Sequence, residues 1–486
     1  MTGSMPSWTR LSDLETRPEA VTSLGARIVI AGTSSGVGKT TVCTGILAAL
    51  ARRGVRPAGA KIGPDFIDPS YHAAASGRPA RNLDPWICGL DRMVALAARA
   101  ADGAGVLVVE GVMGLFDGAA DGSPSSTADV ARVLLAPIVL VIDASAMASS
   151  VAALLHGFAS YDPSILVSGV IFNRVGSDGH ETMLREAVEP IGIPVLGALR
   201  RDDRFAWRDR HLGLVPVAEN PDAVTSSLEL LATAIETYVD LDGVERVARN
   251  AEPIAAGRVE LPRHVGIARV AVAGGPAFSF TYTDTIEALD AAGVEVVTFD
   301  PLVDEVLPES SGSSSGVDGL DGLLIGGGFP EVYAQNLSEN RRLLDDIARR
   351  IRDGLVTWAE CGGLLLLCES LDGHRLAGVV PARAEMAGKL TLGYRQAATT
   401  VVSPLGPPGT KLRGHEFHYS RVDPTGSALE LQARFGHGHD GFATPDMLAT
   451  YVHFHPGGDP TPISNFARRA SLRRGKRRAK RRASSG

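Results

Sequence analysis

Apolar runs of strand length recur along the chain, with helical stretches between them. Arg27–Ala31, Val106–Val109, Ile138–Ile142, Val167–Phe172 and Pro194–Leu199 form a first set. Arg269–Ala273, Glu295–Phe299, Leu320–Ile325, Leu355–Trp358 and Thr450–Phe454 form a second, with a helix expected near Thr283–Ala292. Continuous apolar strands alternating with helices predict parallel sheets covered on both faces, so the fold class is α/β with two doubly wound domains. A length of 486 residues is too great for one compact core and agrees. The expected division is a disordered extension over 1–25, a first domain over 26–240, a linker over 241–264, a second domain over 265–460 and a disordered tail over 461–486. Mixed polar residues with scattered Ala, Pro and Gly suggest the linker, and Glu309–Gly316, nearly all Ser and Gly, reads as a loop insertion.

Composition narrows the class. Hydrophobic residues make up 44% and charged residues 21%, as in soluble globular proteins. Runs such as Val133–Ile142 are about half the length of a membrane span. The first 25 residues lack the apolar block of a secretory signal. Four scattered cysteines make no disulfide framework, so a cytoplasmic protein without a membrane partner is expected. Ten Lys and Arg fall between Ile463 and Gly486 with no acidic residue, which leaves the rest of the chain at −17 against −7 for the whole. That acidic body argues against nucleic acid as the main partner, and the basic run reads as a solvated terminus.

The segment Gly32-Thr-Ser-Ser35-Gly36-Val-Gly38-Lys39-Thr40-Thr41 follows the first strand and opens a helix expected over Thr40–Arg53. Glycines let backbone N–H groups curl toward an anion, and the helix adds its positive end. Lys39 would reach the outer phosphates of ATP and Thr40 would hold Mg2+, with Ser35, Gly36, Gly38 and Thr41 in the cradle. The strict phosphate-loop pattern wants glycine where Thr33 stands; here Gly32 comes one residue early. Two acidic clusters follow. Lys61-Ile-Gly-Pro-Asp65-Phe-Ile-Asp68-Pro-Ser-Tyr71-His72 is a loop stiffened by two prolines. Glu110-Gly-Val-Met-Gly-Leu-Phe-Asp117 begins where a strand ends, the place where ligands gather in open α/β sheets. Carboxylates there are hard oxygen ligands for magnesium.

In the second half, Leu355-Val-Thr-Trp-Ala359-Glu-Cys361-Gly-Gly363 reads as strand, nucleophile, helix. A sharp turn needs small residues two before and two after the nucleophile, and Ala359 and Gly363 meet that need. A helix N-terminus favours the thiolate of Cys361. The Gly362 N–H and one near Gly328 would form an oxyanion hole. Tyr451-Val-His453-Phe-His455 offers a base, with both histidines on one face if the segment is a strand. Cys43, Cys88 and Cys368 read as small buried hydrophobes.

Together these motifs, with Gly414-His-Glu-Phe-His-Tyr-Ser420, resemble the cobyrinate and hydrogenobyrinate a,c-diamide synthase family of cobalamin biosynthesis, from Arg27 to about His455. The resemblance implies a P-loop domain like dethiobiotin synthetase joined to a flavodoxin-like class I glutamine amidotransferase domain. It implies L-glutamine and ATP as co-substrates, Mg2+ as cofactor and a corrinoid as substrate partner, and it is compatible with a homodimer. It assigns Cys361 as nucleophile and His453 as base. It assigns Asp65 and Glu110, with Thr40, to the metal and Asp65, Asp68, Tyr71 and Asp117 to the substrate or acyl-phosphate site, and Asn173 matches an adenine-reading position. Class I amidotransferases often carry an acid two residues after the base; here that residue is His455, which stays a candidate. Cobyric acid synthase and a nickel-sirohydrochlorin a,c-diamide synthase are the near alternatives. An ATPase switch that grips DNA through the basic tail is the alternative from another class.

Overall fold

A computed structural model describes residues 22–484 apart from 120, 203, 205–208, 211–212, 309–318 and 435. Most of the expected extension, and the Ser/Gly loop over 309–316, lie outside the described residues. The first sheet has seven strands, in the order Arg81–Leu83, Pro57–Ile62, Val106–Glu110, Arg27–Gly32, Ile138–Asp143, Val167–Val175 and Val195–Arg200. Every neighbouring pair is parallel. The central strands are buried along their whole length because helices cover both faces. Arg27–Gly32 lies between the two wings of the sheet, so the loop after it opens at the switch in strand order. The helix Lys39–Arg52 starts there.

The second domain carries a six-stranded sheet in the order Val294–Phe299, Ala268–Ala273, Gly322–Ile325, Val356–Glu360, Met447–Thr450 and Phe442–Thr444. Only the last pair is antiparallel. A second, largely antiparallel sheet is built on the long hairpin Arg383–Thr399 and Lys411–Asp423, which the apolar-run reading does not contain. Its strands alternate buried and exposed positions and so present no continuous apolar run.

Three expectations are corrected. Thr450–Phe454 is not one strand: Met447–Thr450 pairs in the parallel sheet, whereas His453–Phe454 pairs with the hairpin through Gly414 and His415. The chain therefore changes sheets at Tyr451–Val452, and His455 lies beyond the strand. The span 241–264 is not a bare linker. It holds the helix Leu241–Arg249, whose Leu241, Val244 and Ala248 are buried, and the strand Ile254–Ala256 paired with Thr22–Leu24. The wholly buried Arg27 fastens that strand pair to the sheet, donating to the carbonyls of Leu24, Gly25, Leu134, Leu135 and Glu252. Third, the basic tail is the helix Thr461–Ser484. Ile463, Phe466, Ala467 and Ala470 fall at helical spacing and are buried on the second domain. Arg477 pairs with Asp321 at 3.0 Å and Arg469 with Asp446 at 2.6 Å, so part of the basic charge is spent on the protein itself.

The domains meet at the acidic loop. Arg81 reaches Asp284 at 2.9 Å and Glu287 at 2.7 Å across the boundary. Trp86 stacks on Tyr394 with ring centroids 4.5 Å apart. Phe66 lies with its ring 5.3 Å from Phe280 and 4.4 Å from Tyr282. Such buried pairs and stacked rings fix one orientation of the two halves.

Candidate active site

At the first site the phosphate loop takes the left-handed backbone its glycines permit, with φ 78° at Gly36 and 96° at Gly38. Ser35 and Gly36 are exposed at its tip. Lys39 folds back on the Ser34 carbonyl at 2.9 Å. Burial, reinforced by the nearby Lys61 charge, lowers its pKa to about 8, so it is poised to gain from an anionic partner. Thr40 Oγ1 donates to Glu110 Oε1 at 2.6 Å and stands 3.3 Å from Asp68 Oδ2. Thr41 follows in the same first helical turn.

Glu110, wholly buried at the end of its strand, is the hub. Lys61 Nζ lies 2.7 Å from Glu110 Oε1 and 2.6 Å from Asp68 Oδ2, and His72 Nε2 lies 2.7 Å from Glu110 Oε2. Burial alone would raise the Glu110 pKa, but Lys61 and His72 outweigh it and hold the carboxyl below the usual carboxylate range. Lys61 likewise stays an ammonium, because Asp68 and Glu110 overcome its burial. Asp65 turns one oxygen back on the chain, accepting the Ile67 N–H at 2.8 Å and the Asp68 N–H at 3.0 Å. Asp117 accepts the Gly114 N–H at 2.9 Å. Tyr71 donates to the Val215 carbonyl at 2.6 Å, and Asn173 to the Val37 carbonyl at 2.9 Å inside the phosphate loop. The structure thus brings Thr40, Asp68 and Glu110 together and leaves Asp65, Asp117, Tyr71 and Asn173 around them. Lys61 and His72 join the site although no motif position predicts a role for them. Their signal was their place in one short segment with two acids. Cys43, His72 and Glu110 also offer ligand atoms within 4.8 Å of one another, but burial pushes the Cys43 thiol well above its ordinary range, away from the thiolate that binds metal.

At the second site Cys361 stands at the end of Val356–Glu360 with φ 48°, a strained conformation for a non-glycine residue. The turn is tight enough that a Cβ on Gly363 would lie 2.2 Å from the Ile325 carbonyl oxygen. A Cβ on Gly362 would lie 3.1 Å from the Gly328 nitrogen, so the two expected oxyanion positions are neighbours. The sulfur is less open than the elbow pattern suggests, with Cys361 only 6% exposed. Cys361 and Glu360 both act on the His453 ring, whose Nδ1 stands 3.4 Å from Glu360 Oε2 without forming a hydrogen bond. Burial opposes the charged imidazole, yet Cys361 and Glu360 together raise its pKa to about 10.

His455 does not take part in this arrangement. Its Nδ1 faces Cys88 Sγ at 3.2 Å and its Nε2 faces Asp284 at 3.7 Å, on the domain boundary. His415 stacks on His453 at 5.0 Å, His418 stacks on Tyr451 at 3.7 Å, and Glu416 pairs with Arg395 at 2.7 Å. Phe66, between Asp65 and Asp68, places its ring 5.0 Å from that of His453.

A phosphate-gripping site and a Cys–His site in one chain define the class of ATP-driven ligases that draw nitrogen from glutamine. The comparisons agree. Residues 28–214 match the family described as the CobQ/CobB/MinD/ParA nucleotide binding domain, and residues 269–461 match the CobB/CobQ-like glutamine amidotransferase domain. The chain is 45% identical to a hydrogenobyrinate a,c-diamide synthase of Streptomyces coelicolor, covering 91% of this chain and 97% of that relative. It is 42% identical to the protein of that name from Thermobifida fusca, covering 92% and 97%. It is 38% identical to a cobyrinate a,c-diamide synthase of Synechococcus, covering 90% and 97%. The chain belongs to the hydrogenobyrinate and cobyrinate a,c-diamide synthase family.

Proposed function

We propose that this chain amidates the a and c carboxylates of hydrogenobyrinic acid, using ATP and ammonia cut from glutamine. Relatives at 45% and 42% identity carry the metal-free hydrogenobyrinate in their names, whereas relatives at 38–39% carry cobyrinate, which favours the metal-free ring. No helix among the described residues is long and apolar enough to cross a membrane. We place the reaction in the cytoplasm, with its ATP and glutamine.

A carboxylate resists nucleophiles because it is anionic and its oxide leaves poorly. Transfer of the ATP γ-phosphoryl group makes an acyl phosphate, whose phosphate leaves well. Lys39 and the loop amides would steady the phosphate charge in transit. Thr40, Asp68 and Glu110 present converging hard oxygens, a donor set that fits Mg2+ if the cation takes the place of the Lys61 ammonium that neutralises both carboxylates here. When bound there, magnesium would neutralise phosphate charge. Asp65, Asp117 and Tyr71 line the surroundings for the substrate carboxylate, and Asn173 holds the loop against the nucleotide. Cys361 attacks the glutamine amide carbon, with Gly328 and Gly362 N–H groups at the oxyanion, and His453 gives its proton to the departing ammonia. Water then opens the thioester to glutamate.

The observation that carries the reading is Phe66. Its ring touches the glutaminase base while its neighbours Asp65 and Asp68 belong to the phosphoryl site. Ammonia released at Cys361 therefore faces an aromatic wall of Phe66, Phe280 and Tyr282 at the boundary, suited to passing neutral ammonia inward. The test is mass spectrometry of hydrogenobyrinic and cobyrinic acids incubated with the protein, ATP, magnesium and glutamine. Two successive carboxyl-to-amide exchanges, stopping there, with the metal-free ring preferred, are expected. ATP hydrolysis with neither ring changed would overturn the reading.

A further inference from the structure

We propose that Glu360, the residue immediately before the nucleophile, is the positioning acid of the glutamine-cleaving site, holding the His453 ring with its other nitrogen toward Cys361. The inference rests on the reading of Cys361 and His453 as the glutaminase pair.

Position along the chain explains how a neighbour of the nucleophile can do this. Successive strand residues face opposite sides, so Glu360 ends its strand turned away from Ala359 and toward His453–Phe454. Its Oε1 accepts the Phe454 N–H at 3.1 Å, and its Oε2 stands 3.4 Å from His453 Nδ1, an ion-pair contact and not a formed hydrogen bond. The residue is 6% exposed, so water does little to screen this pair. Among the described residues the other candidates are committed elsewhere. His455 faces Cys88 and Asp284, and Glu416 faces Arg395. His415 meets the flat face of His453 and can neither accept a proton from Nδ1 nor neutralise the ring.

A carboxylate behind an imidazole does two things. It keeps the proton on Nδ1, which leaves Nε2 free to take the thiol proton, and it stabilises the imidazolium that forms when the thiol gives it up. That proton later leaves on ammonia, so the balance closes with Glu360 ionised throughout. In many class I amidotransferases the acid lies two residues after the base; here the same work comes from the opposite end of the pair.

Glu360→Gln in the full chain tests this, because it keeps a carbonyl oxygen for the Phe454 N–H and removes only the charge. Expected is a fall in kcat for glutamine hydrolysis of about 10²- to 10⁴-fold, as when the acid behind a catalytic imidazole becomes an amide. KM for glutamine should change little. The alkaline limb of the pH–rate profile should move down by about one to three units. The other titratable groups facing His453 are Cys361, His415, Glu416 and His418, and these are the same in both proteins. Amidation supported by ammonium, which bypasses Cys361, should be unchanged and reports separately on folding and on the amidation reading. Glutamine hydrolysis within about twofold of the parent with an unmoved alkaline limb would overturn the proposal. So would equal loss of glutamine- and ammonium-supported amidation, which marks a merely structural role.

Discussion

The two reaction sites meet at one boundary but are built on opposite principles. The phosphoryl site is a charge network, with Lys61 between two carboxylates, Glu110 shared by Lys61, His72 and Thr40, and few rings. The glutaminase site is a shape, a strained elbow packed under rings and closed by three glycines, with one carboxylate behind its base. The contrast follows the chemistry. A phosphoryl group in transit carries charge that must be matched, whereas a thiol needs aim and an imidazole held still. Damage to the first should therefore spread to folding, and damage to the second should stay local.

The largest expected effect separates them outright. Cys361→Ala should cut glutamine-supported amidation by roughly 10⁶-fold, the scale of losing a covalent nucleophile, while ammonium-supported amidation survives. Assay of the variant with each nitrogen source checks this. Lys61→Met should instead abolish both. It leaves Glu110 as a buried carboxylate without its ammonium, which destabilises by about 3–5 kcal/mol and removes amidation from either source. A denaturant midpoint alongside both assays measures it.

Phe466→Ala should cost about 3–5 kcal/mol through the cavity beneath the tail helix, yet leave kcat intact below the melting range. This sharpens the comparison, because the loss belongs to neither site. Phe66→Ala should leave each half-reaction nearly as fast but raise the glutamate formed per amide several-fold, on the scale of removing one packed ring at the boundary. The last effect is on pH dependence. His453 is raised to about 10 in the fold from an ordinary value of 6.5, so its stabilising contribution is complete below 6.5 and lost as pH rises through about 10. Stability curves should fall on that alkaline side, and less so in Cys361→Ala.

The parallel cores were readable because both faces of their strands are covered, which leaves unbroken apolar runs such as Ile138–Asp143. The hairpin sheet was not, because its strands are half-exposed and its job is to carry His415 and His453 into place. The tail misled by its charge: four apolar residues at helical spacing were hidden among ten basic ones. Cys361, Lys39 and Thr40 could be placed from local pattern alone, since a tight turn and an anion cradle dictate nearby residues. Glu360 could not, because its role depends on a sheet-changing segment some ninety residues further on.

The central claim is that ammonia passes inside the protein from Cys361 to the acyl phosphate. Glutamine labelled with nitrogen-15 at its amide, supplied with excess unlabelled ammonium, tests it most directly. The account predicts that the new amides carry the glutamine label regardless of added ammonium, and that Phe66→Ala dilutes it. Amides whose label follows the bulk ammonium ratio in the unaltered protein would contradict it.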